Sequence, residues 1–288
     1  VLIPHPWPRA FLIMSVMAVV IQSAKIPKVD AVKIGFTVFA ASVPVSLIFL
    51  TGDSVINPLA ASYAGDSVSV GWIGWFQYMG IPAIVASVIT LVLILILFKP
   101  SQPVTINLQE IEEKQKAQGP MSKLEKRTAI WLVIAIILWM TDSIHGIDIG
   151  WVTMGVAMCM SLPLIGEVLT VKSWGQVPVH VLVFLTSAMA IGTVGGATGM
   201  NTWIANTILP EHLPSNLFVL ALLIALISMV VHMFMGSVIA VMGVVIPSVL
   251  IFTQPMGIPP LVTALIVYMA IASHYILPFH HLNMLVGQ

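Results

Sequence analysis

The sequence predicts an all-α polytopic membrane protein, built as inverted repeats that carry re-entrant hairpins and broken transmembrane helices. Three observations predict it. Of the 288 residues, 59% are apolar and 8% charged, with a mean hydropathy of +1.05, which leaves too little polar surface to cover a water-soluble core of this size. The apolar residues fall into runs of helix length. Two of those runs meet polar clusters, "LTGDSVINP" at 50–58 and "LPFHHLN" at 277–283, where a simple membrane span would continue.

The runs lie at about 10–24, 34–51, 78–98, 128–141, 149–166, 178–208, 216–252 and 260–277. A span needs roughly 20 apolar residues, so 78–98 is a clean helix, 10–24 is short, and 216–252 is too long for one crossing. In the middle of the long run, "MFMGSVIAVMG" places the small residues Gly236 and Ser237. These suit the tip of a hairpin that enters the membrane and leaves on the same side. Irregular backbone survives at such depth only where protein or a water-filled cavity satisfies its N–H and C=O groups. The opening "VLIPHPWPRAF" has no basic n-region and no small-residue cleavage site, so it does not read as a signal peptide. The chain is expected to begin inside a longer one. Residues 1–98 then form the remainder of a first repeat: the end of a hairpin, a broken helix over 34–66 and the span 78–98. Residues 99–127 form a solvated linker, and 128–288 a second repeat with spans 128–141, 149–166 and 178–208, the re-entrant hairpin 216–252 and a broken helix over 260–288.

Charge placement orients these elements. Lys25, Lys28 and Lys33 share one loop, 25–33, and Lys99, Lys114, Lys116, Lys123, Lys126 and Arg127 lie in the loop 99–127. Two crossings separate the loops, so both fall on one face, which the positive-inside rule makes cytoplasmic. Beyond Lys172 there is no Lys or Arg. Connections 209–215 and 253–259 are therefore expected on the other face, as a hairpin over 216–252 requires. An integral protein of the inner (plasma) membrane is the expected setting, with the lipid bilayer as a partner.

The repeat is visible in residues. "MSVMAVVIQSAKIPKVDA" at 14–31 and "PSVLIFTQPMGIPPLVTA" at 247–264 share a Ser-Val start and an Ile-Pro after a short Gln-containing connection. Each leads into a helix reaching Ala-Ser, at Ala41-Ser42 and Ala272-Ser273, and each then breaks. Weak internal similarity with inverted orientation points to a secondary transporter whose site lies between interrupted helices. A broken helix offers an N-terminal rim that attracts anions and a C-terminal rim of carbonyls that attracts cations.

This order of hairpin, Ile-Pro connection, Ala-Ser helix and polar break with Asn resembles the divalent-anion:sodium symporter family, the sodium:sulfate and dicarboxylate carriers. The resemblance runs over essentially the whole chain and would cover about the last two-thirds of such a transporter. It implies alternating-access transport of a small divalent anion, a dicarboxylate or sulfate, with sodium or protons as the coupling ion, and a homodimer. In the family each hairpin tip carries Ser-Asn-Thr and each break a Pro-Pro-Asn-like loop. The second tip here falls on Ser237-Val238-Ile239 and the first near Pro4-His5-Pro6. The first break keeps Gly52, Ser54 and Asn57 and adds Asp53; the second has Pro278, His280, His281 and Asn283.

The resemblance thus implies substrate contacts from Ser54, Asn57, Ser237, His280, His281 and Asn283. Gly52, Asp53, Gly236 and Pro278 are the candidates for ion coupling. Val and Ile at the second tip cannot ligate a hard cation, so less sodium dependence is expected, with Asp53 and the histidines available for proton coupling or the protein acting as an exchanger. His280 and His281 can equally cap broken helix ends. No cofactor is expected, other than sodium as a coupling ion.

Other classes fit less well. No His-x-x-x-His or Glu-x-x-His arrangement suggests a membrane-embedded enzyme, and paired broken helices suit a carrier better than an ion channel. The single Cys159 excludes a disulfide framework and a multi-cysteine metal site, and eleven Lys+Arg against eleven Asp+Glu give no reason to expect nucleic acid. "GTVGGATG" at 192–199 lacks the Lys-Ser/Thr of a phosphate loop and reads as close helix packing. Trp72 and Trp75 read as indoles at a membrane interface. His180, His232 and His274 read as core histidines.

Overall fold

A computed structural model describes residues 6–64, 70–101, 119–177, 194–208 and 214–273, with isolated positions between 178 and 193. The described elements are helical, with no strand among them. They are α1 (Pro6–Ser23), α2 (Lys28–Ser46), α3 (Ile56–Ser62), α4 (Trp72–Leu97), α5 (Lys123–Met140) and α6 (Asp142–His145). There follow α7 (Ile149–Ser161), α8 (Val171–Trp174), α9 (Met200–Ile208), α10 (Leu217–Phe234), α11 (Val238–Thr253) and α12 (Pro260–Ala272). Among the described residues three helices, α2, α4 and α10, are long and apolar enough to cross a bilayer. Only 11% of the apolar window of α4 is buried within the chain, so Ile81, Val85, Val88, Leu95 and their neighbours form an apolar face turned outward. Lipid, which is as apolar as they are, accounts for that exposure.

Helix boundaries depart from the apolar runs where local chemistry decides them. The loop expected over 25–33 is shorter, because α2 already begins at Lys28. Pro27 sits at its N-cap with φ −58° and ψ 146°, and Asp30 in the first turn meets the positive end of the helix dipole. Helix α5 starts at Lys123, within the expected linker, on a capping box between Ser122 and Glu125. Helix α7 stops at Ser161 rather than 166, two residues before Pro163, since a proline disfavours the helical conformation in the residue before it. Helix α4 begins at Trp72, ahead of 78, through a π-helical turn at Phe76–Gly80.

The basic connections meet in space. Lys33 Nζ donates to Asp30 Oδ1 at 2.8 Å and to the Lys99 carbonyl at 2.9 Å, while the Ser101 amide donates to Asp30 Oδ2 at 2.9 Å. The start of α2 and the end of α4 therefore share one end of the molecule. Arg127 pairs with Glu167, which ties the start of α5 to the connection after α7, and this contact holds the Glu167 carboxyl below its ordinary range.

The long run 216–252 is two helices joined by Met235, Gly236 and Ser237. Leu217, Leu220 and Ile224 near the start of α10 line one apolar pocket with Met256 and Ile258 just beyond α11. The two arms thus run antiparallel, with the connection at 235–237 as the tip. Helix α12 packs against both arms and α9 packs against α11.

The repeated sequence recurs as repeated backbone geometry. At the end of α1, Lys25 N donates to Gln22 O and Ile26 N to Ile21 O, at 3.2 and 3.0 Å. At the end of α11, Gly257 N donates to Gln254 O and Ile258 N to Thr253 O, at 2.9 and 3.1 Å. Both are Schellman closures, with a left-handed residue that frees the chain to turn: Lys25 at φ 49° and Gly257 at φ 77°. In each case an Ile-Pro follows, and its proline caps the next helix, Pro27 for α2 and Pro259 for α12. A lysine in the left-handed region carries a steric cost of about 1 kcal/mol that glycine avoids. Lys25→Gly should therefore raise the thermal unfolding midpoint in detergent or leave it unchanged, and Gly257→Ala should lower it.

Candidate functional site

The first break follows from an unsolved problem at the end of α2. A helix C-terminus leaves its last carbonyls without intrahelical partners, and within a membrane protein such groups must be satisfied by protein. Helix α2 ends at Ser46, the chain passes through a 3-10 turn at Leu50–Gly52, and α3 restarts at Ile56. Asn57 fills the gap. Its Nδ2 donates to the carbonyls of Ser46 and Phe49, both at 2.9 Å, and its Oδ1 accepts from the Tyr268 hydroxyl of α12. Asn57 is fully buried. Trp75 Nε1 caps the Leu47 carbonyl at 2.9 Å, and Trp72 Nε1 donates to Thr51 Oγ1 at 3.0 Å.

Gly52 is required at its position by a close approach. A Cβ there would lie 2.2 Å from the Ser46 carbonyl oxygen, so no larger residue fits. Asp53 is buried and its Oδ1 accepts from the amides of Val55 and Ile56 at 3.0 and 3.2 Å, which starts α3. Ser54 is exposed. Beside the break, Arg9 of α1 donates from Nη2 to the Ser42 carbonyl at 3.1 Å and is attracted by the charge of Asp53.

The second tip is simpler. Gly236 is exposed and Ser237 half-buried, with Ser237 Oγ accepting from Ala240 N at 3.4 Å as the N-cap of α11. Helix α3 packs against α11 and α12, and Leu59 and Ala60 share a buried cluster with Val238, Val241 and Met242. The structure therefore brings Gly52, Asp53, Ser54 and Asn57 together and sets the α3 that follows them against the arm beginning at Ser237. Pro278, His280, His281 and Asn283 lie outside the described residues, as do His180, His274 and the first tip near Pro4-His5. Among the described residues no three His, Cys, Asp or Glu side chains group as a metal site.

The chain matches the model of the sodium:sulfate symporter transmembrane region over residues 9–282. It belongs to the sodium:sulfate symporter family. It is 26% identical over 239 residues to dicarboxylate transporter 1, chloroplastic, of Spinacia oleracea, covering 80% of this chain and 41% of that protein. Against the protein of the same name from Arabidopsis thaliana the identity is 25% over 244 residues, covering 80% and 42%. Against the putative malate transporter YflS of Bacillus subtilis it is 26% over 178 residues, covering 59% and 36%. The chain spans about two-fifths of the length of these curated relatives. As a family member it is an integral membrane protein of a transporter family.

Several participants in the site escape a reading of the sequence. Trp72 and Trp75 are 6% and 0% exposed, so the interface role expected of them is replaced by capping of the break, for which the indole N–H is well suited. Tyr268, a hydroxyl inside an apolar helix, and Arg9, a cation just ahead of the apolar run 10–24, carried a signal: each needs a polar partner when buried. In the glycine-rich stretch a Cβ on Gly195 would lie 2.3 Å from Oδ1 of Asn201, a local contact within the same stretch, while one on Gly199 would meet nothing within 4 Å. His232 is fully buried within α10.

Removing Asn57 would strand the buried Ser46 carbonyl, at a cost of about 1–3 kcal/mol, and take one hydrogen bond each from the Tyr268 hydroxyl and from the Phe49 carbonyl, which keeps the Gly52 amide at 2.8 Å. Asn57→Ala should lower the unfolding midpoint in detergent far more than Ser54→Ala, with Tyr268→Phe intermediate. Equal midpoints for all three would refute the capping role.

Proposed function

We propose that this protein is a secondary transporter that moves a small divalent anion across the membrane by alternating access, with a dicarboxylate such as malate as the first substrate to test. Membership of the symporter family and the printed names of the dicarboxylate and malate transporters support the anion class. The observation that carries the reading is the break itself: an interrupted helix whose irregular backbone is satisfied inside the protein, at the position where transporters of this kind place their sites.

In this reading Ser54, Ser237, His280, His281 and Asn283 offer neutral hydrogen bonds to the anion. Asn57 acts chiefly by holding the loop that presents Ser54. The hairpins and broken helices form the moving part, and the outward-facing spans form a scaffold that dimerises and stays in the bilayer. The connections joining α1 to α2 and α4 to α5 face the cytoplasm because they carry the lysines.

Coupling is proposed to depend little on sodium at the first break. The carbonyls of Ser46, Leu47 and Phe49, which a hard cation would need, already accept hydrogen bonds from Asn57 and Trp75. Asp53, His280 and His281 are the groups that can carry protons instead, and exchange of one dianion for another needs no coupling ion at all. Labelled malate uptake into proteoliposomes loaded with unlabelled malate tests this directly. Counterflow should persist when sodium is replaced by potassium. Accumulation driven by a sodium gradient alone, with no response to a proton gradient or to internal dicarboxylate, would overturn the coupling proposal while leaving the anion class standing.

A further inference from the structure

Among the described residues, the lysines and Arg127 lie near the ends of helices or in their connections. Arg9 differs. It lies fourteen positions before Ser23, the last residue of α1, which at 1.5 Å per residue puts it about 20 Å from the basic end of the molecule. The bilayer core is about 30 Å thick, so with the basic end at the cytoplasmic surface, as proposed above, this guanidinium stands within the apolar layer. Its hydrogen bond to the Ser42 carbonyl fixes it beside the last turns of α2, which lead into the first break.

A guanidinium keeps its charge in any protein environment, and a charge at this depth is costly unless a partner or a polar cavity receives it. Asp53 provides partial compensation through its charge. That carboxylate is also engaged elsewhere, because its Oδ1 accepts the amides of Val55 and Ile56. Of the five N–H donors of Arg9, one goes to Ser42, and Nε is buried with no hydrogen-bond partner among the described residues. The edge formed by Nε and a terminal nitrogen is the fork that binds a carboxylate or another oxyanion through two parallel bonds.

We propose that Arg9 is the anion-receiving cation of the translocation site: with the Ser42 carbonyl and Asp53 holding it beside the first break, its remaining N–H edge takes one oxyanion group of the transported dianion. The inference rests on the divalent-anion reading above and adds a charge to it. The dianion brings two negative charges into a layer where neutral hydroxyls and amides alone would leave them uncompensated. Asp53 is a positioning residue in this arrangement. It steers the guanidinium while the site is empty and gives up part of that attraction when the substrate arrives.

The test is uptake of labelled malate, with unlabelled sulfate as competitor, by the purified protein in proteoliposomes. Arg9→Gln should raise the KM for malate by about tenfold or more, the scale expected for losing a hydrogen-bonded charge. Arg9→Lys, which keeps the charge and loses the fork, should fall between wild type and Arg9→Gln. Because Arg9→Gln removes a charge that attracts Asp53, the double variant Arg9→Gln/Asp53→Asn separates the two roles. If Arg9 receives substrate, the double variant stays as impaired as Arg9→Gln although its unfolding midpoint recovers. If the pair is only structural, neutralising both restores the wild-type KM and the proposal is overturned. Loss of sulfate competition together with malate affinity assigns Arg9 to oxyanions in general, and loss of malate affinity alone assigns it to carboxylates. Wild-type protein that takes up neither malate nor sulfate would defeat the divalent-anion reading itself, whereas wild-type uptake with an unchanged KM in Arg9→Gln defeats only the role of Arg9.

Discussion

Asn57 is the residue on which the rest of the site depends. An interrupted helix buried inside a protein leaves carbonyls that water does not reach, and each unsatisfied one costs free energy comparable to a lost hydrogen bond. A single asparagine amide caps two of them, Ser46 and Phe49, and the Tyr268 hydroxyl from α12 occupies its oxygen. With those three contacts made, the chain can leave the axis of α2, pass Gly52 against the Ser46 carbonyl and restart as α3. Without them the cheapest way to satisfy α2 would be to continue it as a helix.

The two turns that deliver chain to the break follow the same logic at lower cost. At Lys25 and Gly257 the backbone closes the preceding helix with two hydrogen bonds and reverses through a left-handed residue, and the proline after Ile then sets the first turn of the next helix. Proline suits this place because it has no N–H to lose and its φ is already fixed near the helical value. The direction of α2 relative to α1 and of α12 relative to α11 is thereby a local property. Packing then fixes what local geometry leaves open: α3 lodges against α11 and α12, and the indoles of Trp72 and Trp75 bring the start of α4 to the break.

What was legible in the sequence and what was not divides along this line. Features that depend on residues close in the chain could be read: the helix break at Gly236 and Ser237, the recurring Ile-Pro, and an interruption around Gly52, which runs from Leu47 to Val55 and leaves Asn57 in the helix that restarts. Small or polar residues inside an apolar run have few other uses. Helix starts at Lys28 and Lys123 were misplaced because hydropathy alone ignores caps, and charged first turns look like loop. Contacts between distant residues gave no signal of partnership. Tyr268 meets Asn57 across 211 positions, and an indole that caps a carbonyl has the same sequence signature as one at a lipid headgroup. Arg9 stands at the head of an apolar run, and nothing local links it to Asp53.

Capping also decides which sign of charge the break prefers. The C-terminal end of a helix carries the negative pole of its dipole and ordinarily favours cations. Here amide and indole N–H groups donate to the carbonyls of Ser46, Leu47 and Phe49, which a cation would otherwise meet bare. Beside the break stand the exposed hydroxyl of Ser54, the buried carboxylate of Asp53 and the guanidinium of Arg9. A helix end that would by itself draw cations thus has these carbonyls engaged by the side chains that satisfy it. The interactions that satisfy the break inside the protein are the same ones that occupy the carbonyls of Ser46, Leu47 and Phe49.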